Sequence, residues 1–196
     1  RAPSGRLGEF MYASLMRHCA LISLVLLASA CATKPAPQQA RLGLKLAPAT
    51  LGASIARQQH LTVERDGRIN DLDAALEVDP EQLQLVGLAF GQRVLSLSYD
   101  GKELTSWRHV MLPSQVRAED VLEDLQLTLW PKDAIAKELP AGWTIEDEGL
   151  RRTLYMNGEV VTVINYSTMP RWTGTVVLQN MRYQYRLTIQ SVPFGP

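Results

Sequence analysis

The sequence predicts an α+β domain: an antiparallel sheet with helices lying on one face. Three observations lead there. Short segments of alternating apolar and polar residues are separated by the turn dipeptides Asp66-Gly67, Asp100-Gly101 and Asn157-Gly158. One stretch in the middle of the chain switches from period two to a helical repeat. The order along the chain is therefore hairpins, helices, hairpins, which places helices against an antiparallel sheet.

Residues 1–15 (RAPSGRLGEFMYASL) are read as upstream sequence and set aside from fold reasoning. Residues 16–30 have the layout of a secretory signal peptide. A small basic start (Met16, Arg17, His18) precedes eleven uncharged residues, Ala20 to Ala30, that end in small side chains. A membrane-spanning helix needs about 20 apolar residues, so this run is too short. Ala28-Ser29-Ala30-Cys31 resembles the lipobox of bacterial lipoproteins. That resemblance implies acylation of Cys31, which becomes the new N-terminus. With Ala32 rather than Asp in the sorting position, it also implies the outer membrane and a domain facing the periplasm. A plain secreted protein whose mature start includes a cysteine is the alternative. Residues 31–50, rich in Ala, Pro and Gln, read as a lipidated tether, and residues 51–196 as the folded domain.

Strand signals begin near Ser54. Asp66-Gly67 joins LTVER to RINDLDAAL, and Gly91-Gln92 joins QLQLVGLAF to RVLSLSY. Asp100-Gly101 leads into KELTSWRHVML. Asn157-Gly158 separates RRTLYM from EVVTVINYS, and TGTVVLQ pairs with RYQYRLTIQSV. In that last segment Tyr183, Tyr185, Leu187 and Ile189 alternate with polar residues, giving one apolar face and one wet face. Ala118, Val121, Leu122, Leu125 and Leu129 form a helical stripe with Glu119 and Asp120 in the first turn, where acids suit the helix dipole. Trp130-Pro131 ends that helix, and a shorter one over 132–139 follows it. Glu119, Asp120, Glu123 and Asp124 read as the solvated face opposite the leucines, and Glu146-Asp147-Glu148 as an exposed turn.

Composition excludes several classes. Setting aside residues 1–30 removes three of 20 basic and one of 20 acidic residues, leaving 17 and 19. A near-neutral chain without a basic cluster does not point to nucleic acid. Cys19 falls in the signal peptide and Cys31 is the lipidation candidate, so the domain has no thiol for catalysis or metal binding. His60 and His109 are distant in sequence, and no nucleophile elbow, zinc-protease, Walker or dinucleotide motif is present. The reading is a non-enzyme with no cofactor and no metal. Trp107, Trp130, Trp143 and Trp172 are scattered and read as core or cavity lining.

The hairpin LVGLAFGQRVLSLSYDGKEL resembles the LolB-type outer-membrane lipoprotein receptors, in its small-residue tip and its return through alternating leucines to an Asp-Gly turn. The following helix, the LPAGW approach to a later strand and the closing YRLTI strand fit the same plan. ATLGASIARQQHLTVE, EDVLEDLQLTLWP and LPAGWTIE also resemble an uncharacterised family of proteobacterial lipoproteins from aryl-polyene-type gene clusters, beside a LolA-like carrier and an exporter. The resemblance implies a curved sheet forming an incomplete barrel, with helices covering its concave face and an apolar cavity for acyl chains. It further implies transfer of a lipid, lipid-linked product or lipoprotein from a LolA-like periplasmic carrier to the outer membrane. Leu88 and Phe90 would take the part of a membrane-directed tip. From strand and helix parity the expected cavity lining is Leu83, Leu85, Leu95, Leu97, Leu122, Leu125, Tyr183, Tyr185, Leu187 and Ile189. The alternative is a structural or assembly lipoprotein that docks an envelope partner and carries no ligand.

Overall fold

The computed structural model describes residues 41–194. The signal peptide, Cys31 and Ala32 lie outside the described residues. Ten strands form one antiparallel sheet: β1 (Ile55–Arg65), β2 (Arg68–Val78), β3 (Leu83–Ala89), β4 (Gln92–Tyr99), β5 (Leu104–Arg108), β6 (Trp143–Glu148), β7 (Arg151–Met156), β8 (Glu159–Tyr166), β9 (Gly174–Asn180) and β10 (Tyr185–Pro193). Their order is β5-β4-β3-β2-β1-β10-β9-β8-β7-β6. Two five-stranded meanders thus join along β1 and β10, in a register running from Arg57 opposite Pro193 to Arg65 opposite Tyr185.

Helices α1 (Ala118–Leu129) and α2 (Lys132–Glu138) connect the two outer strands, β5 and β6. A flat sheet does not allow this. Eight strand spacings separate β5 from β7, roughly 38 Å at about 4.8 Å each. Helix α1, with 12 residues, is only about 18 Å long. Yet α1 packs against β5, accepts the Tyr166 hydroxyl of β8 on the Thr128 carbonyl at 2.8 Å, and accepts Arg152 of β7 on the Leu127 carbonyl. The sheet therefore curls around α1, and β5 and β6 remain its two open edges.

Local sequence explains most of these elements. Leu83 and Leu85 are buried while Gln84 is exposed, as alternation requires. Asp66 (φ 51°) with Gly67 (φ 71°), and Asn157 (φ 53°) with Gly158 (φ 83°), place two successive residues in the left-handed region. Type I′ turns need that conformation. The β3–β4 turn falls at Phe90-Gly91, one residue earlier than the expected Gly91-Gln92. A bulge next to Gly87/Leu88 shifts the pairing, so that consecutive Val94 and Leu95 are both buried.

Four further expectations are corrected. Residues 41–50, read as tether, belong to the folded domain as a strap alongside α1. Leu44, Leu46 and Leu51 are buried, and a short 3₁₀ turn spans Pro48–Leu51. The Gln126 side chain clasps the strap like a neighbouring strand, accepting Leu46 N–H at 3.0 Å and donating to Leu46 C=O at 2.8 Å. Tyr99 Oη donates to Lys45 C=O, and Trp130 Nε1 donates to Thr50 Oγ1. Secondly, Glu123 is buried and Asp124 part-buried rather than solvated, because the strap covers that side of α1. Thirdly, Glu146–Glu148 lies in β6. Asp147 there accepts Arg152 Nε at 2.8 Å and Arg171 Nη2 at 2.7 Å. Finally, Trp107 is half-exposed on the edge strand β5, covered by the guanidinium of Arg93 at 4.7 Å.

Arg152, only 1% exposed, also donates to the carbonyls of Leu127 and Trp130 at 2.6 and 2.8 Å. It thus places a cation on the carbonyl end of α1, beside the Thr128 carbonyl that accepts Tyr166.

Candidate functional site

The hairpin topology sorts all turns to two rims of the sheet. One rim holds the β1–β2, β3–β4, β7–β8 and β9–β10 turns, together with the segment that leaves β5. Among the described residues, eleven large apolar side chains are exposed, and eight of them belong to this rim. They include Ile69, Leu88, Phe90, Val110, Met111 and Met181. Scattered exposed apolar residues need no explanation, but concentration at one end of a molecule marks a contact surface.

Phe90 is, with Val110, the most exposed of them. It is 93% exposed at the tip of the β3–β4 hairpin, and its backbone is left-handed (φ 52°). The other two turns of this kind use Asp and Asn, which tolerate that conformation through their short polar side chains. A phenylalanine there gives up about 1–2 kcal/mol of backbone energy and also leaves an aromatic ring in water. Neither cost serves the fold.

Arginines interleave with the apolar side chains of this rim. Arg65 and Arg68 are direct cross-strand partners closing the β1–β2 hairpin. Arg186 stands opposite Glu64 on β10, with Nε 3.8 Å from Glu64 Oε1. Between the β1–β2 and β9–β10 turns lies a groove of about 580 Å³, lined by residues 64–69 of the hairpin and by Gln179, Asn180, Met181, Gln184, Tyr185 and Arg186.

Behind the groove sits a buried polar clasp. Tyr185 Oη donates to the Asp124 carboxylate at 2.6–2.7 Å, and Arg41 Nη1 donates to Asp124 Oδ1 at 3.0 Å. The Arg41 guanidinium lies over Tyr183 at 4.5 Å and Tyr185 at 5.5 Å. Gly43 N–H donates to Glu123 Oε2 at 2.7 Å. Burial lifts the carboxyls of Asp124 and Glu123 above their ordinary range, only partly offset by Arg41 and the hydrogen-bond donors around them. Burial, and then Asp124, pushes the Tyr185 phenol up. For Arg41 burial disfavours charge, but Asp124, Tyr185 and Asp120 outweigh it and the guanidinium stays charged. The clasp fastens the strap to α1 and β10.

The expected cavity lining falls into two groups. Leu83, Leu85, Leu95, Leu97, Leu122, Leu125, Tyr185 and Ile189 are buried in one continuous core, with Tyr183 and Leu187 packed against it. Leu83 at 0% and Leu122 at 1% exposure are enclosed by other atoms in this conformation. Only Tyr185 of the ten also lines the groove. Leu88 and Phe90 are both exposed at the rim. His60 meets Asp73 at 2.9 Å across the β1–β2 ladder, and Thr62 donates to Asp71, all on an exposed surface.

Sequence reasoning missed Arg41 and the Arg65–Arg68 pair. The arginine pair was readable, because Asp66-Gly67 sets Arg65 directly opposite Arg68 in any two-residue hairpin. The repeat Leu42-x-Leu44-x-Leu46 signalled a packed strap within what reads as a tether.

The model of the family described as "Protein of unknown function (DUF3261)" matches residues 56–193, nearly the whole sheet from β1 to β10. No curated protein matches the chain. Among solved structures, a LolA superfamily protein from Nitrosomonas europaea is similar at 10% identity, over 71% of this chain and 84% of its own, with a TM-score of 0.41. A DUF1329 family protein from Desulfovibrio piger ATCC 29098 is similar at 12% identity, over 77% of this chain and 88% of its own, with a TM-score of 0.34.

Proposed function

We propose that this chain, which belongs to the DUF3261 family, is an outer-membrane lipoprotein that binds a lipid or lipid-linked product and passes it to the membrane. In this reading Cys31 carries the acyl anchor, Ala32 directs sorting, and the domain faces the periplasm. It receives cargo from a LolA-like carrier working with an exporter, and it makes or breaks no covalent bond. The single observation that carries the reading is Phe90, exposed and held in a strained turn on an apolar rim. Strain at an exposed aromatic tip is what a membrane-inserting contact needs and what folding alone does not.

Phe90→Asn provides the test. Asparagine tolerates the left-handed turn, so the hairpin is kept or stabilised by roughly 0.5–1 kcal/mol. Association of the Cys31→Ser protein with lipid vesicles then falls steeply, while thermal stability holds. Vesicle association equal to that of the parent protein refutes a membrane role for this tip. Native mass spectrometry with organic extraction tests the cargo; a consistently empty protein that takes up no acyl probe ends the carrier reading. Labelling with a clickable fatty acid, lost in Cys31→Ser, tests the anchor.

A second reading, a structural lipoprotein that docks an envelope partner without a ligand, is favoured by one observation. Leu83 and Leu122 are fully packed, where a standing acyl cavity would leave their surfaces open. For the carrier reading, cargo therefore has to displace the strap of residues 41–51 or lie along the rim.

A further inference from the structure

We propose that the groove between the β1–β2 and β9–β10 turns is a headgroup site, in which Arg65 and Arg68 grip the phosphate of an anionic lipid. This rests on the lipid-handling reading above and adds to it the chemistry that is recognised.

Like charges placed directly opposite on neighbouring strands repel and destabilise a hairpin. Arg65 and Arg68 hold that arrangement at the closing pair of β1–β2. The carboxylates nearby neutralise them only in part, Asp66 forming a long ion pair with Arg65. Asp66 Oδ2 is 3.6 Å from Arg65 Nε, beyond hydrogen-bond reach, and Glu64 faces Arg186. The third carboxylate in the neighbourhood, Asp124, is taken up by Tyr185 and Arg41 behind the groove. Arg65 Nε is shielded from solvent yet has no hydrogen-bond acceptor, so one donor of the guanidinium fork is unmet. Three arginines against Glu64 and Asp66 leave the groove with a net positive charge.

A phosphate fits this donor set better than a carboxylate does. It offers several anionic oxygens to two guanidinium forks at once, so both arginines are served and their repulsion is relieved. The groove opens on the apolar rim, with Ile69 and Met181 among its lining residues, both exposed. An anion whose phosphate sits between arginines while its remainder meets exposed apolar side chains is a lipid at a membrane surface, where each arginine also gains from the negative surface potential.

The experiment uses the full chain carrying Cys31→Ser, so that no acyl anchor contributes, and vesicles of phosphatidylglycerol or of phosphatidylcholine. The wild-type site favours phosphatidylglycerol, and the double variant Arg65→Gln/Arg68→Gln lowers that affinity about 30-fold, toward the phosphatidylcholine level. Lys102→Gln/Arg151→Gln, a charge-matched change at the opposite rim, leaves it unchanged. The double variant keeps or raises its melting temperature, because it removes a like-charge pair. Inorganic phosphate at millimolar concentration competes only weakly. Equal binding of both vesicles with no effect of the double variant overturns the headgroup site and leaves the lipid reading standing. So does tight binding of free phosphate without vesicle preference. Failure to bind either vesicle, together with an empty protein by native mass spectrometry, overturns the lipid reading itself.

Discussion

Gln126→Ala tests whether the strap is part of the domain. The native side chain is fully buried and satisfies both backbone groups of Leu46, at 3.0 and 2.8 Å. Alanine reaches neither. Each buried backbone group left without a partner costs about 1–3 kcal/mol, so the loss is roughly 2–5 kcal/mol after partial relaxation. An ordinary surface substitution stays within about 0.5 kcal/mol. In urea, with a slope of about 2 kcal/mol/M, the unfolding midpoint falls by roughly 1–2.5 M. If the strap lifts off locally before the sheet unfolds, the midpoint moves less and the loss is seen instead as rapid hydrogen exchange at Leu46 N–H. A midpoint within about 0.25 M of wild type, combined with unchanged protection of Leu46, refutes the docked strap and restores residues 41–50 to the tether.

Arg152→Met keeps the volume but removes the cation from the carbonyl end of α1 and strips Asp147 of its buried partner; the expected loss by urea unfolding is about 3–5 kcal/mol. Tyr185→Phe deletes the hydroxyl that donates to Asp124 and lowers stability by about 1.5–3 kcal/mol, with hydrogen exchange in the strap rising in parallel. For Asp147, burial raises the carboxyl but Arg152 and Arg171 outweigh it and hold it below its ordinary value. Its contribution is therefore present above the unfolded carboxylate range near pH 4 and is lost as pH falls through the lower folded value. Melting temperature followed from pH 6 to pH 2 falls more steeply for wild type than for Asp147→Asn.

The periodicities legible in the chain were those set by neighbours a few residues apart. Alternation in QLQLV and in YRLTI placed Leu83, Leu85, Tyr185 and Ile189 on one side of their strands, and the structure buries all four. The Asp-Gly and Asn-Gly pairs marked turns because few residues accept positive φ. The failures share a cause. Glu123 and Asp124 looked solvated because a helical wheel shows one face opposite the leucines, and nothing local says that a second layer covers it. Asp147 looked like part of an exposed turn because its partners, Arg152 and Arg171, are identified only by the β6–β7 pairing and by the fold around it.

By itself, then, the sequence determined an α+β plan of hairpins around two helices, the apolar face of strands such as β3 and β10 and most of the places where the chain turns, since steric and hydrophobic periodicity act over a few residues. Only the tertiary structure decided that the sheet curls around α1, that Arg41 meets Asp124 and Tyr185, 83 and 144 residues away, and that Phe90 and the Arg65–Arg68 pair share one rim. Those outcomes depend on which distant surfaces are buried together, because a charge or an aromatic ring takes its energy from the groups around it and not from its neighbours in the chain.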